Sequence, residues 1–141
     1  MINNKMKITF LSMSQNESFA RSVAGMFALS LNPSIAQVSD IKTAVSEAVT
    51  NCIVHGYPDK VGEITMESEI AGDSIHINVF DDGVGIENVK DALEPFYTTK
   101  ESEERAGMGF TIMETFSDKL KVSSKEGKGT SVFIEKSLKV K

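Results

Sequence analysis

Met6, Ile8 and Phe10 alternate with polar neighbours, which predicts a strand over residues 5–11. Ser14-Gln15-Asn16-Glu17 reads as a capping box opening a helix, with Phe19, Val23, Met26 and Phe27 at helical spacing as its core stripe. That helix is expected to end near Leu31, before Asn32-Pro33. A second helix is predicted from Ser39 or Asp40 to His55, with Ile41, Ala44, Val45, Ala48, Val49 and Cys52 facing the core and Gly56 ending it. Alternation returns over 63–70 and 74–80 around Ala71-Gly72-Asp73, which is a hairpin. Beyond it come a short helix over 87–93, an aperiodic loop over 95–107 and a helix from Met108 to about Ser117. The chain closes with a strand at Leu120 and Val122, a turn from Lys125 to Gly129, and a strand at Val132 and Ile134. The order β-α-α-β-β-α-loop-α-β-β predicts a two-layer α/β sandwich, with a mixed, mostly antiparallel sheet and helices on one face.

The 141 residues suit a single domain, 1–141. Composition adds mostly exclusions. The net charge of −5 gives no basic nucleic-acid footprint, so no direct nucleic-acid contact is expected. The longest apolar run, Met26 to Leu29, is too short for a membrane span or a signal peptide. A single cysteine, Cys52, excludes an internal disulfide and suggests the reducing cytoplasm. Charge is uneven: residues 119–141 hold seven Lys and two Glu, which suits a solvated edge strand and tail.

Phosphate loops of the G-x-x-x-x-G-K-[ST] and G-x-G-x-x-G types are absent from the sequence, as is any Cys/His cluster of zinc type. Four other features carry the chemistry. Glu47 and Asn51 stand one helical turn apart, about 40° around the axis, at the polar border of the apolar stripe. A carboxylate there can take a proton from an attacking hydroxyl, and an Asn carbonyl suits Mg²⁺. Asp81-Asp82-Gly83-Val84-Gly85 follows a strand, where Gly83 and Gly85 let backbone approach a flat ligand. Gly107-Met108-Gly109 leads into a helix, behind a loop carrying Thr98, Thr99, Lys100 and Arg105, hydroxyls and cations suited to phosphate oxygens. Gly127-Lys128-Gly129-Thr130 joins two strands. Each has a bland reading on its own: a solvated helix face, a turn, a loop–helix junction, a hairpin. Cys52 reads as a small core hydrophobe and His55 as packing.

In this order the four features resemble the boxes of the GHKL ATP-binding superfamily. Asn16-Glu17-Ser18-Phe19-Ala20-Arg21, Val45 to Asn51, His55-Gly56-Tyr57, Thr98-Thr99-Lys100 and Gly107 to Glu114 are similar to the anti-sigma-F factor family of sporulating bacteria, which are serine-protein kinases. Ala106 departs from the Ser expected before Gly107, and Phe96-Tyr97 gives a lid start closer to histidine kinases.

The resemblance implies ATP, ADP and Mg²⁺ as ligands. Glu47 would be the base for an acceptor serine, Asn51 the Mg²⁺ ligand, and Asp81 the acceptor for the adenine amino group, with Thr130 supporting that end. Thr98, Thr99, Lys100, Arg105, Gly107 and Gly109 would hold the phosphates. It further implies a homodimer that binds an RNA-polymerase sigma factor and phosphorylates an anti-anti-sigma factor, with Arg21 touching both partners. By the stripe above, Arg21 points outward, away from any pocket of Glu47 and Asn51. A paralogous kinase for a stress-response sigma factor, and a nucleotide-holding module without transfer, share the same boxes.

Overall fold

The computed structural model describes residues 3–84, 109–124 and 129–138. In chain order the elements are β1 (Asn4–Leu11), α1 (Ser14–Ala28), α2 (Ile35–Asn51), β2 (Glu63–Ala71), β3 (Ser74–Asp81), α3 (Gly109–Thr115), β4 (Lys119–Ser124) and β5 (Thr130–Ser137). The short helix expected over 87–93, the loop over 95–107 and most of the turn at 125–129 lie outside the described residues.

The five strands form one sheet in the order β1-β2-β3-β5-β4, and every pairing among them is antiparallel. Alternation dictates which face is buried: Ile64, Met66 and Ile70 on β2, Ile75, Ile77 and Val79 on β3, and Val132 and Ile134 on β5 face the helices. The opposite face carries Lys5, Lys7, Glu67, Glu69 and His76, none of them buried. The helices cover one face, giving the two-layer α/β sandwich that the element order implies. No described helix is long and apolar enough to cross a membrane.

α2 is the central helix, and its predicted stripe is buried in full: Ile41, Ala44, Val45, Ala48, Val49 and Cys52. Its start is four residues or more earlier than the stripe suggests. Ser34 caps it, accepting from the Gln37 N–H at 3.1 Å while the Ser34 N–H donates to Gln37 Oε1 at 2.9 Å. Asn32, with φ 54°, turns the chain between the helices in the left-handed region that Asn tolerates.

The capping box expected at Ser14 does not form. Met13 is the cap residue of α1, without a side-chain bond, and the Glu17 carboxylate pairs with Arg21 Nε at 3.2 Å. The face of α1 also differs from the expectation. Its buried residues are Ala20, Ala24, Gly25 and Ala28, whereas Phe19 is 55% and Met26 69% exposed; Val23 and Phe27 pack at the margin of the core. The buried line is rotated by about 100° from the large-apolar stripe. Small residues win because α1 lies closely against α2, so that a Cβ on Gly25 would come within 3.2 Å of the Lys42 stem.

Candidate functional site

α2 does not stop at Asn51. It widens into one π-helical turn, Cys52–Gly56, closed by the Tyr57 N–H donating to the Cys52 carbonyl at 3.1 Å. That turn sets Gly56 against the end of β3. The Gly56 carbonyl accepts from the Val84 N–H at 2.9 Å, tying helix end and strand end together.

Asp81 is the last residue of β3 and takes the core-facing phase of the strand, so its carboxylate is buried at 4% exposure. Oδ1 accepts from the Gly83 N–H at 2.8 Å, and the nearby Cys52 thiol and Thr130 backbone N–H also favour the charged carboxylate. Oδ2 is buried with no hydrogen-bond partner among the described residues. An orphaned, buried carboxylate oxygen costs free energy unless a ligand donates to it. Burial raises the Asp81 pKa above the ordinary aspartate value, and the Gly83 N–H opposes that rise.

Three glycines permit the close approaches of this corner, one of them, Gly56, against the carboxylate itself. A Cβ on Gly56 would lie 2.9 Å from Asp81 Cγ and Oδ2. One on Gly83 would lie 2.0 Å from the Gly56 carbonyl oxygen, and one on Gly129 2.0 Å from the Asp81 carbonyl oxygen. Gly129 also has φ +90°, a conformation that only glycine takes without strain.

Thr130 pairs with Asp81 in the β3–β5 register and is buried. Its hydroxyl shares a hydrogen with Ser124 Oγ at 2.8 Å, and the Ser124 hydroxyl donates to the Gly129 carbonyl at 2.9 Å, so β4 braces this corner.

Tyr57 was not anticipated as part of the corner. Its buried ring lies where a Cβ on Gly62 would stand, its O–H donates to the Glu63 carbonyl at 2.7 Å, and its oxygen accepts from the Asp82 N–H at 2.9 Å. One phenol therefore pins the start of β2 to the turn after β3, and burial raises its pKa. Cys52 was read as plain core. It is wholly buried, and burial first, then the neighbouring Asp81 charge, raises its pKa well above the usual thiol value. It stays a thiol and serves as a donor to the carboxylate. The only sequence signal for these roles was their position on either side of Gly56.

Glu47 and Asn51 sit one turn apart on the last stretch of α2, Glu47 buried at 5% exposure and Asn51 half-buried. Glu47 lines a hollow of about 610 Å³ between α1 and α2, and Arg21 lines the same hollow. The expectation that Arg21 points away from any Glu47 pocket is therefore wrong, because the α1 core face is the alanine line and not the Phe19–Met26 stripe. Gly109 is the first residue of α3. Gly85, Thr98, Thr99, Lys100, Arg105 and Gly107 lie outside the described residues. The described structure thus joins Asp81, Gly83 and Thr130 in one corner and Glu47 with Arg21 in one hollow, linked by the last turns of α2.

Residues 14–136 match the family model described as a histidine kinase-like ATPase domain. An anti-sigma F factor of Thermoanaerobacter sp. (strain X514) is 57% identical over 133 residues, 94% of this chain and 93% of that protein. An anti-sigma F factor of Clostridium acetobutylicum is 49% identical over 136 residues, 96% of this chain and 95% of its own length. The chain belongs to the anti-sigma F factor family. Solved structures agree on the fold alone. The RsbU and RsbW domains of a Mycobacterium tuberculosis protein superpose with a TM-score of 0.69 at 18% identity, over 96% of this chain and 32% of that one. The catalytic domain of the histidine kinase ThkA gives 0.60 at 16% identity, over 94% and 96%. Family membership makes this an anti-sigma factor built on a GHKL-type ATPase domain, and the Asp81 corner and the Glu47 hollow are the parts of that domain to which chemistry is assigned below.

Proposed function

We propose that this chain binds an RNA-polymerase sigma factor in the cytoplasm and, using ATP, phosphorylates a serine of that factor's anti-anti-sigma antagonist. The observation that carries the nucleotide part is Asp81 Oδ2, a buried acceptor without a donor among the described residues, in a corner whose close approaches three glycines permit. The adenine amino group is a donor of the right kind and a flat ring suits a glycine-lined cleft. Guanine presents an acceptor oxygen at the equivalent position and would be repelled.

Glu47 acts as base: it accepts the proton of the acceptor serine as that oxygen attacks the terminal phosphorus, whose bond to the β–γ bridging oxygen breaks to release ADP. Asn51 would hold Mg²⁺ through its side-chain carbonyl, a hard oxygen donor that leaves the remaining positions to water and phosphate. The bound ion supplies neutralisation of phosphate charge. Thr98, Thr99, Lys100, Arg105, Gly107 and Gly109 are assigned to the phosphates and Thr130 to the adenine end. A module that only held nucleotide would need no carboxylate beside Asn51, and the burial of Glu47 in a hollow open to a partner favours transfer.

Arg21 is assigned to both protein partners. A second copy is assigned to the outer face of α1, where Phe19 and Met26 stand exposed near Leu11 and Met13, beside the free edge of β1. The test of the nucleotide assignment is calorimetric titration with ATP, ADP and GTP in Mg²⁺. Binding of both adenine nucleotides with GTP at least tenfold weaker supports it, and equal affinity for GTP rejects it.

A further inference from the structure

β3 ends at Asp81, and the next three residues send their backbone N–H groups to three different partners. The Asp82 N–H donates to the Tyr57 phenol oxygen at 2.9 Å, the Gly83 N–H to Asp81 Oδ1 at 2.8 Å, and the Val84 N–H to the Gly56 carbonyl at 2.9 Å. The middle bond sets the direction of the Asp81 carboxylate, and with it the direction of Oδ2. The outer two fasten the turn to Gly56 and Tyr57, neighbours at the end of the π-helical turn.

Of the two outer anchors, only Tyr57 acts through a side chain. Asp82 and Val84 are exposed, so packing does little to fix the turn, whereas the Tyr57 ring is buried. The ring is itself held from behind. A Cβ on Gly62 would overlap its edge at Cε1 and Cζ, and Gly62 is bound twice to Ser12, just past β1. The Gly62 N–H donates to Ser12 Oγ at 2.9 Å, and its carbonyl accepts from the Ser12 N–H at 2.8 Å. The phenol O–H donates to the Glu63 carbonyl at 2.7 Å. A continuous run of contacts thus leads from the end of β1, through Gly62, the Tyr57 ring and Asp82, to the Asp81 carboxylate.

Direction matters to such an acceptor, because a hydrogen bond weakens steeply as its angle closes. An oxygen aimed before the ligand arrives has no ordering cost to meet on binding. Water can replace the Tyr57 bond at the exposed Asp82 amide, but it does not fix where the turn stands.

From this geometry we infer that Tyr57 is a positioning residue for base recognition: through the Asp82–Gly83 turn it holds Asp81 Oδ2 toward the amino group of adenine. Its hydroxyl donates to one protein group and accepts from another, so it works through the turn and not on the ligand. The inference rests on the adenine reading of Asp81 and adds to it the side chain that aims the carboxylate.

The test is calorimetric titration of wild type, Tyr57→Phe, Gly62→Ala and Ile134→Val with ATP and with purine riboside triphosphate, in Mg²⁺. The second nucleotide lacks only the amino group of the base, so the ratio of the two affinities isolates the contact to Oδ2. Tyr57→Phe keeps the ring in its seat and removes the oxygen. Gly62→Ala keeps the oxygen and displaces the ring. Ile134→Val thins the core beside β3 and leaves the turn alone. Wild type should prefer ATP by about tenfold or more, the worth of a charged hydrogen bond. In Tyr57→Phe and Gly62→Ala the preference should fall to about threefold or less, almost entirely by loss of ATP affinity. Ile134→Val should keep the wild-type ratio. A folded Tyr57→Phe with the wild-type ratio overturns the assignment. So does an equal loss for both nucleotides, which would make the phenol a general brace, or the same shift in Ile134→Val, which would make it an effect of stability. If Tyr57→Phe does not fold, Gly62→Ala decides by the same ratio. A wild type that binds both nucleotides equally removes the adenine reading of Asp81 and this inference with it.

Discussion

The Asp81 corner and the α1–α2 hollow lie at either end of one short stretch of α2, yet they are built on opposite terms. In the corner, backbone approaches backbone so closely at Gly83 and Gly129, and the Asp81 carboxylate approaches so closely at Gly56, that none has room for a methyl group, and one buried oxygen of Asp81 has no donor among the described residues. The hollow is walled by side chains that the fold does not need: Ile35 and Leu29 stand in water, and among the described residues Arg21 is paired only with its own helix neighbour. A site for a small ligand of fixed shape can be specified by backbone geometry. A site for a partner must be specified by side chains that are free to be covered. Adding a side chain at a corner glycine should therefore cost stability, whereas changing a side chain of the hollow should cost recognition.

The sharpest break of that contrast is Gly83→Ala. Its Cβ would overlap the Gly56 carbonyl, and neither backbone segment can move without undoing the Val84–Gly56 hydrogen bond. The expected loss is on the order of 4–5 kcal/mol, read as a fall in melting midpoint of roughly 10 °C or more by calorimetry. A variant that melts like wild type would show that the corner is not backbone-limited.

Next in size is Glu47→Ala. It should lower serine phosphorylation by about 10²–10⁴-fold with ATP affinity nearly intact, measured by single-turnover transfer. Persistence within a few-fold would move the base elsewhere.

Asp81→Asn is smaller in affinity but has a second signature. Replacing an acceptor oxygen by a donor amide should weaken nucleotide binding by about 10–100-fold, from a charged hydrogen bond worth about 1.5–3 kcal/mol. The nucleotide-free variant should also be more stable than wild type at neutral pH. The folded chain holds the Asp81 proton more tightly than the unfolded chain, because burial raises its pKa. Stability therefore falls as pH rises from the ordinary carboxylate range through the raised value, and stays lower above it. The stabilisation by Asn should shrink toward pH ~4, the ordinary Asp value, when denaturant midpoints are compared. A difference that does not vary with pH would mean that Asp81 is not desolvated.

Arg21→Glu is expected to change the fold least. Stability should stay within about 1 kcal/mol of wild type, since what is lost is a part-exposed i, i+4 pair with Glu17, replaced by a like-charge pair. Binding of sigma factor and antagonist should weaken at least tenfold by surface plasmon resonance. Wild-type binding by a folded variant would leave Arg21 a surface charge.

Strand periodicity made the sheet legible, because a period of two leaves little freedom once one face is buried. It also showed the α2 stripe, which is apolar throughout. It failed in part on α1, where Val23 and Phe27 reach the margin of the core but Phe19 and Met26 are exposed. Phe19 and Met26 dominate any count of hydrophobicity, but close packing of two helices selects Ala20, Ala24, Gly25 and Ala28. The capping signal misled for a related reason. Ser14-x-x-Glu17 and Ser34-x-x-Gln37 are the same motif, and only the second closes, because Glu17 is engaged by Arg21 and Met13 holds the cap position.

At the site, Asp81, Gly83 and Thr130 were legible as members of separate motifs, while their junction was not. The contacts among Gly56, Cys52, Tyr57 and Asp81 span up to 29 residues of chain and depend on a π-helical turn that has no pattern in the sequence. Gly56 reads as a helix stop; its necessity comes from the carboxylate that occupies the place of its missing side chain.

The most direct measurement is to incubate the chain with γ-labelled ATP, Mg²⁺ and the unphosphorylated antagonist, then map the label by mass spectrometry for wild type and Glu47→Gln. The account predicts label on one serine of the antagonist with wild type, none on the chain itself, and transfer reduced by at least 10²-fold in the variant. Label released only as free phosphate, or carried on a histidine of this chain, would contradict it.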